Sequence, residues 1–115
     1  MVGTDVITRA RIMLNDTVAT YRFSDTDLLS HLNDGIQACI ELRPDLAHND
    51  AGTTDTFADL TAIGGSIGLD DYLRVPLAHY VAYRAFGGDD PDTANQTKAD
   101  THYKLFVEGL YGSGA

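Results

Sequence analysis

A chain of 115 residues, 43% of them apolar, is long enough for one domain with a core and too short for two. Its formal charge of −9, from 17 acidic and 8 basic residues, excludes a grip on DNA phosphates by counterion release and adhesion to an anionic membrane surface. Such a balance favours solubility, basic partners, or repulsion of a nucleic acid that must pass without sticking. The single cysteine, Cys39, excludes an internal disulfide. It lies in an apolar helical pattern and reads as a small buried hydrophobe.

In chain order, Thr4 or Asp5 can cap a first helix running roughly to Leu14, with Val6, Ile7, Ala10, Met13 and Leu14 at helical spacing and Arg9 and Arg11 off that stripe. Asn15-Asp16-Thr17 breaks the pattern with turn-forming side chains. Ser24 caps a second helix, with Asp27 three residues on and Phe23 placed to staple onto Leu28. Its apolar stripe is Leu28, Leu29, Leu32, Ile36, Cys39 and Ile40, and its polar face is Ser30, Asn33, Asp34, Gln37 and Glu41. Pro44 disfavours helical geometry at Arg43 and ends it.

Residues 47–70 carry a turn cluster, β-prone threonines around Phe57 and Leu60, and the glycine-punctuated run Ile63 to Gly68. This predicts a long extended loop or a short hairpin, a connection long enough to be functional. A third helix spans about Asp71 to Phe86, with Pro76 in its first turn or at a kink. It is apolar nearly all round, which predicts the central helix of a bundle, and Gly87-Gly88 ends it. Asp90-Pro91 opens the last helix, whose stripe is Ala94, Ala99, Tyr103, Phe106 and Leu110. From Gly109 the chain is predicted to run into a flexible tail ending at Ala115. The fold class is therefore all-α, one domain of about four helices. No apolar run approaches a membrane span, and Met1 to Asp5 shows no leader pattern, which points to a cytoplasmic protein or one released with a particle assembled there.

The residues offer little chemistry. His31, His48, His79 and His102 include no pair at i, i+4 on one helix, and no Cys–His pattern exists. Asp70-Asp71 and Asp89-Asp90 stand before helices, where free N–H groups and the dipole account for them better than hydrolysis does. Asp50 to Asp59 lacks the ligand alternation of a calcium loop, and Gly64-Gly65-Ser66 lacks the lysine and frame of a phosphate loop. No catalytic, cofactor-binding or metal-ligating set is predicted, and no enzymatic activity. Contact with other proteins is the alternative use of such a surface. Tyr80, Tyr83 and Arg84 on the third helix, Phe57 and Leu60 in the long loop, and Leu110 and Tyr111 at the tail are the candidate interface. Arg84 on an apolar helix needs a carboxylate or a set of carbonyls, with Asp27, Asp34 or a neighbouring subunit as candidates.

Asp27-Leu28-Leu29-Ser30-His31-Leu32-Asn33-Asp34-Gly35 with Leu42-Arg43-Pro44-Asp45 resembles the second-helix segment of the head–tail adaptor (connector) proteins of tailed bacteriophages. Leu69-Asp70-Asp71, Pro76 and Tyr80 to Phe86 look like the penultimate helix of that family. Ala94-Asn95, His102-Tyr103 and Phe106 are similar to its last helix. The resemblance covers roughly residues 24–46 and 69–110, in order. It implies a virion structural protein at the neck, in a homo-oligomeric ring of about twelve copies. That ring would sit under the portal protein, extend the DNA channel without binding DNA specifically, and present a platform to the next tail or neck protein. No reaction or cofactor is implied. The chain departs from the family in the gap between the second and third helices, where about two dozen residues, Ala47 to Gly68, replace a longer, strand-rich insert. A free-standing acidic interaction module with a basic partner is the other reading, and a hydrolase built on Asp70, Asp71 and a histidine is a third.

Overall fold

The computed structural model describes residues 1–17, 21, 23–47, 59–69, 71–88 and 93–111. They form four α-helices: α1 (Gly3–Met13), α2 (Asp25–Leu42), α3 (Arg74–Gly87) and α4 (Thr93–Tyr111). Short 3-10 turns at Pro44–Ala47 and Asp71–Leu73 follow α2 and precede α3. Among the described residues there is no strand, only one antiparallel bridge between Val2 and Ser66. The all-α bundle expected from the periodicity is the architecture found.

The helix α3 is the hub. It packs against α1, α2 and, most extensively, α4. Its buried set, including Leu77, Ala78, Tyr80, Val81, Ala82, Ala85 and Phe86, covers most of its circumference. Leu73 and Leu77 are fully buried there, as are Leu28 and Leu32 of α2, Val6 of α1, and Phe106 and Leu110 of α4. Pro76 is accommodated because it falls in the first turn, where its missing N–H has no helical acceptor to lose. Two glycines set how closely the helices approach. A Cβ on Gly35 of α2 would stand 2.9 Å from Tyr80 Cδ1, and one on Gly109 of α4 would stand 2.7 Å from Pro76 Cγ.

The ends of α2 follow local chemistry. Ser24 Oγ accepts the Asp27 backbone N–H at 3.1 Å, and Asp25 and Asp27 lie in the first turn. Arg43, before Pro44, leaves the helix at φ −134° and ψ 80°. The helix α1 begins two residues earlier than a Thr4 cap would place it and three earlier than an Asp5 cap would. Asp5 acts from inside the first turn, its carboxylate accepting the Val2 N–H at 3.0 Å. The Gly3 N–H is taken up by the Gly65 carbonyl at 2.9 Å.

The segment 59–69 runs back along α1 and α2. Asn33 of α2 clamps it: its Oδ1 accepts the Leu60 N–H at 2.8 Å and its Nδ2 donates to the Leu60 carbonyl at 3.1 Å. Ile67 N–H then donates to the Met1 carbonyl at 3.0 Å, and Ile67 and Leu69 enter the core. The extended pairing expected for this stretch is thus made with the start of the chain, not as a hairpin within the described residues.

Two expectations are corrected here. Arg11, read as lying off the α1 stripe, is buried at 6% exposure, because a carboxylate is buried beside it. Residues 109–111, read as the start of a flexible tail, continue α4. Gly109 allows the helix to close on Pro76, and Leu110 is fully buried in the core. Residues 112–115 and the helix opening at Asp90-Pro91 lie outside the described residues.

Candidate protein interface

The expected interface residues separate into three groups. Tyr80 and Leu110 are core: Tyr80 packs edge-on against Tyr83 and Phe106, at ring distances of 5.5 and 5.0 Å. Tyr83 and Arg84 are half-buried on one side of α3. Arg84 Nη2 lies 3.3 Å from Asp34 Oδ2, and Arg84 Nη1 donates to the Tyr80 hydroxyl at 3.2 Å. Asp34 is therefore the partner among the two that spacing allowed. Tyr83 meets Tyr103 of α4 at 4.9 Å. Leu60 is half-buried under the Asn33 clamp, and Phe57 lies outside the described residues.

Tyr111 is the remaining member and is 52% exposed. Its hydroxyl donates to the Leu42 carbonyl at 3.0 Å, tying the end of α4 to the end of α2. Beside it, Arg43 Nη1 donates to the Leu110 carbonyl at 2.7 Å and Arg43 Nη2 to Asp45 at 2.7 Å. The Arg43 pKa is raised, chiefly by Asp45 and further by the nearby Tyr72 hydroxyl. Tyr72 in turn lines a cleft of about 440 Å³ between the start of α3 and the end of α4, with Val75, His79, Leu105 and Glu108. Exposed Tyr72, Val75 and Leu105 border this cleft, and exposed Leu42 and Tyr111 lie beside Arg43 where α2 and α4 end, so the two sets together make an exposed apolar seam. Of these, Tyr111 is among the interface candidates read from the sequence, and Tyr72 is one of the many tyrosines to which an interface role is open. Leu42, Val75 and Leu105 are aliphatic residues of helices, and periodicity alone does not tell which of them stay in water.

A second cleft of about 360 Å³ opens between α1 and α2, lined by Thr4, Ile7, Thr8, Arg11, Ile12, Tyr21 and Ile63 among others. Ile12 on its rim is 65% exposed. Its floor is a buried ionic corner. Arg11 Nη1 donates to Asp16 Oδ2 and to the Phe23 carbonyl, both at 2.9 Å, and Nη2 donates to Asp25 Oδ1 at 2.6 Å. Asp16 Oδ2 also accepts the Phe23 N–H at 3.1 Å, and the Tyr21 ring covers the guanidinium at 3.8 Å.

The helices α3 and α4 also bring together two histidines that lie 23 residues apart in sequence. His79 Nδ1 is 2.9 Å from His102 Nδ1. Both pKa values are lowered, by burial first in each case and for His79 also by His102. Asp71, paired with a histidine in the hydrolase reading, instead accepts a hydrogen bond from the Met1 amino group at 2.9 Å. Asp70, Asp89 and His48 lie outside the described residues. Burial pushes the Cys39 thiol up to about 12, which leaves almost no thiolate at neutral pH. Among the described residues, no three His, Cys, Asp or Glu side chains converge to hold a metal ion. No described helix is long and apolar enough to cross a membrane.

No known protein family, no curated protein and no solved structure matches the chain.

Proposed function

We propose that the chain is a virion structural protein, an adaptor repeated as a ring between the portal of a tailed-phage head and the next tail or neck component. The observation that carries this reading is the exposed seam of Leu42, Tyr72, Val75, Leu105 and Tyr111, with Arg43 beside its Leu42 and Tyr111 end. A small acidic domain that leaves two tyrosines, three aliphatic side chains and an arginine together on one edge has the composition of an interface core. The segments that resemble adaptor proteins fall on α2, α3 and α4, the helices that meet at this seam. The charge of −9 suits a ring through which DNA passes without adhering.

Imaging of the assembled particle tests this directly. Density for the helical domain is expected below the portal, with the Tyr72–Tyr111 edge against a neighbouring chain. Purified particles that lack the protein would end the proposal. The substitution Tyr72→Glu should abolish incorporation, while helical circular dichroism stays at the wild-type level because Tyr72 is 56% exposed.

A further inference from the structure

The contact between His79 and His102 has a geometry that discriminates between two uses. The Nδ1 atoms are 2.9 Å apart and the ring centroids 5.1 Å. The difference is about two ring radii, so each Nδ1 points almost straight at the other along the line of centres. That is the arrangement of a linear N–H···N hydrogen bond. With their nitrogens only 2.9 Å apart, two imidazoles aiming their lone pairs at one shared ion would draw their centroids closer than this. Such a bond places a single proton in the gap. One neutral ring supplies it from Nδ1 and the other accepts it.

We propose that the His79–His102 pair is a single-proton latch that holds α4 on α3 near neutral pH and releases it in acid. A first added proton enters at a ring's far nitrogen and keeps the gap bridged. A second leaves two N–H groups facing each other across it, like charge against like charge, with no acceptor between them. His102 cannot readily turn away, because Phe86 stacks on it at 5.5 Å and 14°. Separation of the helices relieves the conflict. Lys98 of α4 stands on the other arm of this cluster, 5.5 Å from the Phe86 ring, and adds positive charge nearby. Glu108 of α4 and Tyr72 of the preceding turn share the cleft with His79. Neither they nor any group of α1 or α2 offsets the burial that disfavours the charged rings.

The sign follows. Rings whose charging the fold opposes stabilise it fully above the unfolded value of about 6.5, and that contribution is lost as pH falls below it and through their lowered folded values. Because His79 lines the cleft of the exposed seam, release would deform the edge formed by Tyr72, Val75 and Leu105. The latch belongs to the fold and stands whether or not the seam meets a portal.

Two measurements on the intact chain test it. Imidazole nitrogen NMR at pH 7.5 should find one of the two rings protonated at Nδ1 and the other at Nε2. Two Nε2-protonated rings would overturn the proposal. Amide exchange, corrected for its intrinsic pH dependence, should show α4 protection falling about tenfold more than that of α2 between pH 7 and pH 5. The difference should vanish in both His79→Gln and His102→Gln, either of which removes the second charge. Equal loss in all helices, or an unchanged pH response in the variants, would refute a local latch. Should one variant fail to fold, the other and the tautomer measurement still decide.

Discussion

The α3–α4 pair and the α1–α2 corner hold the molecule together by opposite means. Between α3 and α4, Leu77, Val81, Phe106 and Leu110 are fully buried, and a contact between two imidazoles, His79 and His102, crosses the pair. At the corner, one guanidinium meets two carboxylates and a carbonyl, with Arg11 and Asp16 nearly out of water. Apolar contact scales with volume and tolerates changes of shape, whereas a buried ion cluster depends on direction and on each partner being present. The helix pair should therefore respond to substitution by size, and the corner by geometry.

The largest expected effects test that division. Phe106→Ala leaves a cavity under Tyr80 and should lose about 3–5 kcal/mol of unfolding free energy, read from the urea midpoint. Phe106→Leu should recover most of this. Arg11→Ala abandons Asp16 without its cation and should lose about 3–5 kcal/mol, less to the extent that Asp25 is half in water. Here the conservative change should fail: Arg11→Lys lacks the fork that reaches Asp16, the Phe23 carbonyl and Asp25 together, and most of the loss should persist. A fully stable Arg11→Lys would mean the corner works by packing, and the contrast would collapse.

An intermediate effect probes how tightly α2 lies on the hub. Gly35→Ala puts a methyl group 2.9 Å from Tyr80 Cδ1, inside contact distance. Tyr80 is held by Phe106 and by Arg84, so its ring has little room to yield. A loss of about 1–3 kcal/mol is expected from overpacking, against the small gain that alanine brings to an open helix position. Thermal unfolding that rises on this change would show that the helices can slide apart.

The elements that local chemistry decides were the legible ones. The helix α2 has Ser24 at one end, Pro44 at the other and an unbroken stripe between, and α3 announces its central place by lacking a polar face. Arg11 was misjudged because one-dimensional periodicity counts an arginine as surface. Its spacing four residues after Ile7 and one after Ala10 already put it at the stripe's edge, with Asp16 and Asp25 following as possible partners. Leu110 closes the apolar stripe of α4 and is buried as that stripe implies, while the tail reading of the same stretch fails because Gly109, which reads as a breaker, is a contact residue for Pro76. The histidine pair was beyond reach. Residues 79 and 102 sit on different helices, and only the register of α4 against α3 brings them face to face. The exposed seam was hidden for the same reason, since Tyr72, Val75 and Leu105 share an edge only after the helices pack.

The smallest effect isolates a term in which neither region has a part. Ser24 caps α2 through one hydrogen bond, to the Asp27 N–H, at an exposed position. Its neighbour Asp25 serves the Arg11 corner, so the two roles of this first turn can be separated by substitution. Ser24→Ala should lose about 1 kcal/mol by removing the cap alone, and Ser24→Gly only a few tenths. Because Ser24 and the α3–α4 contact share no partner, Ser24→Ala combined with Phe106→Leu should be additive to within about 0.5 kcal/mol. Combined with Arg11→Lys it should not be, because both changes act on the same turn. Additivity in both pairs would show that the cap and the ionic corner are independent after all.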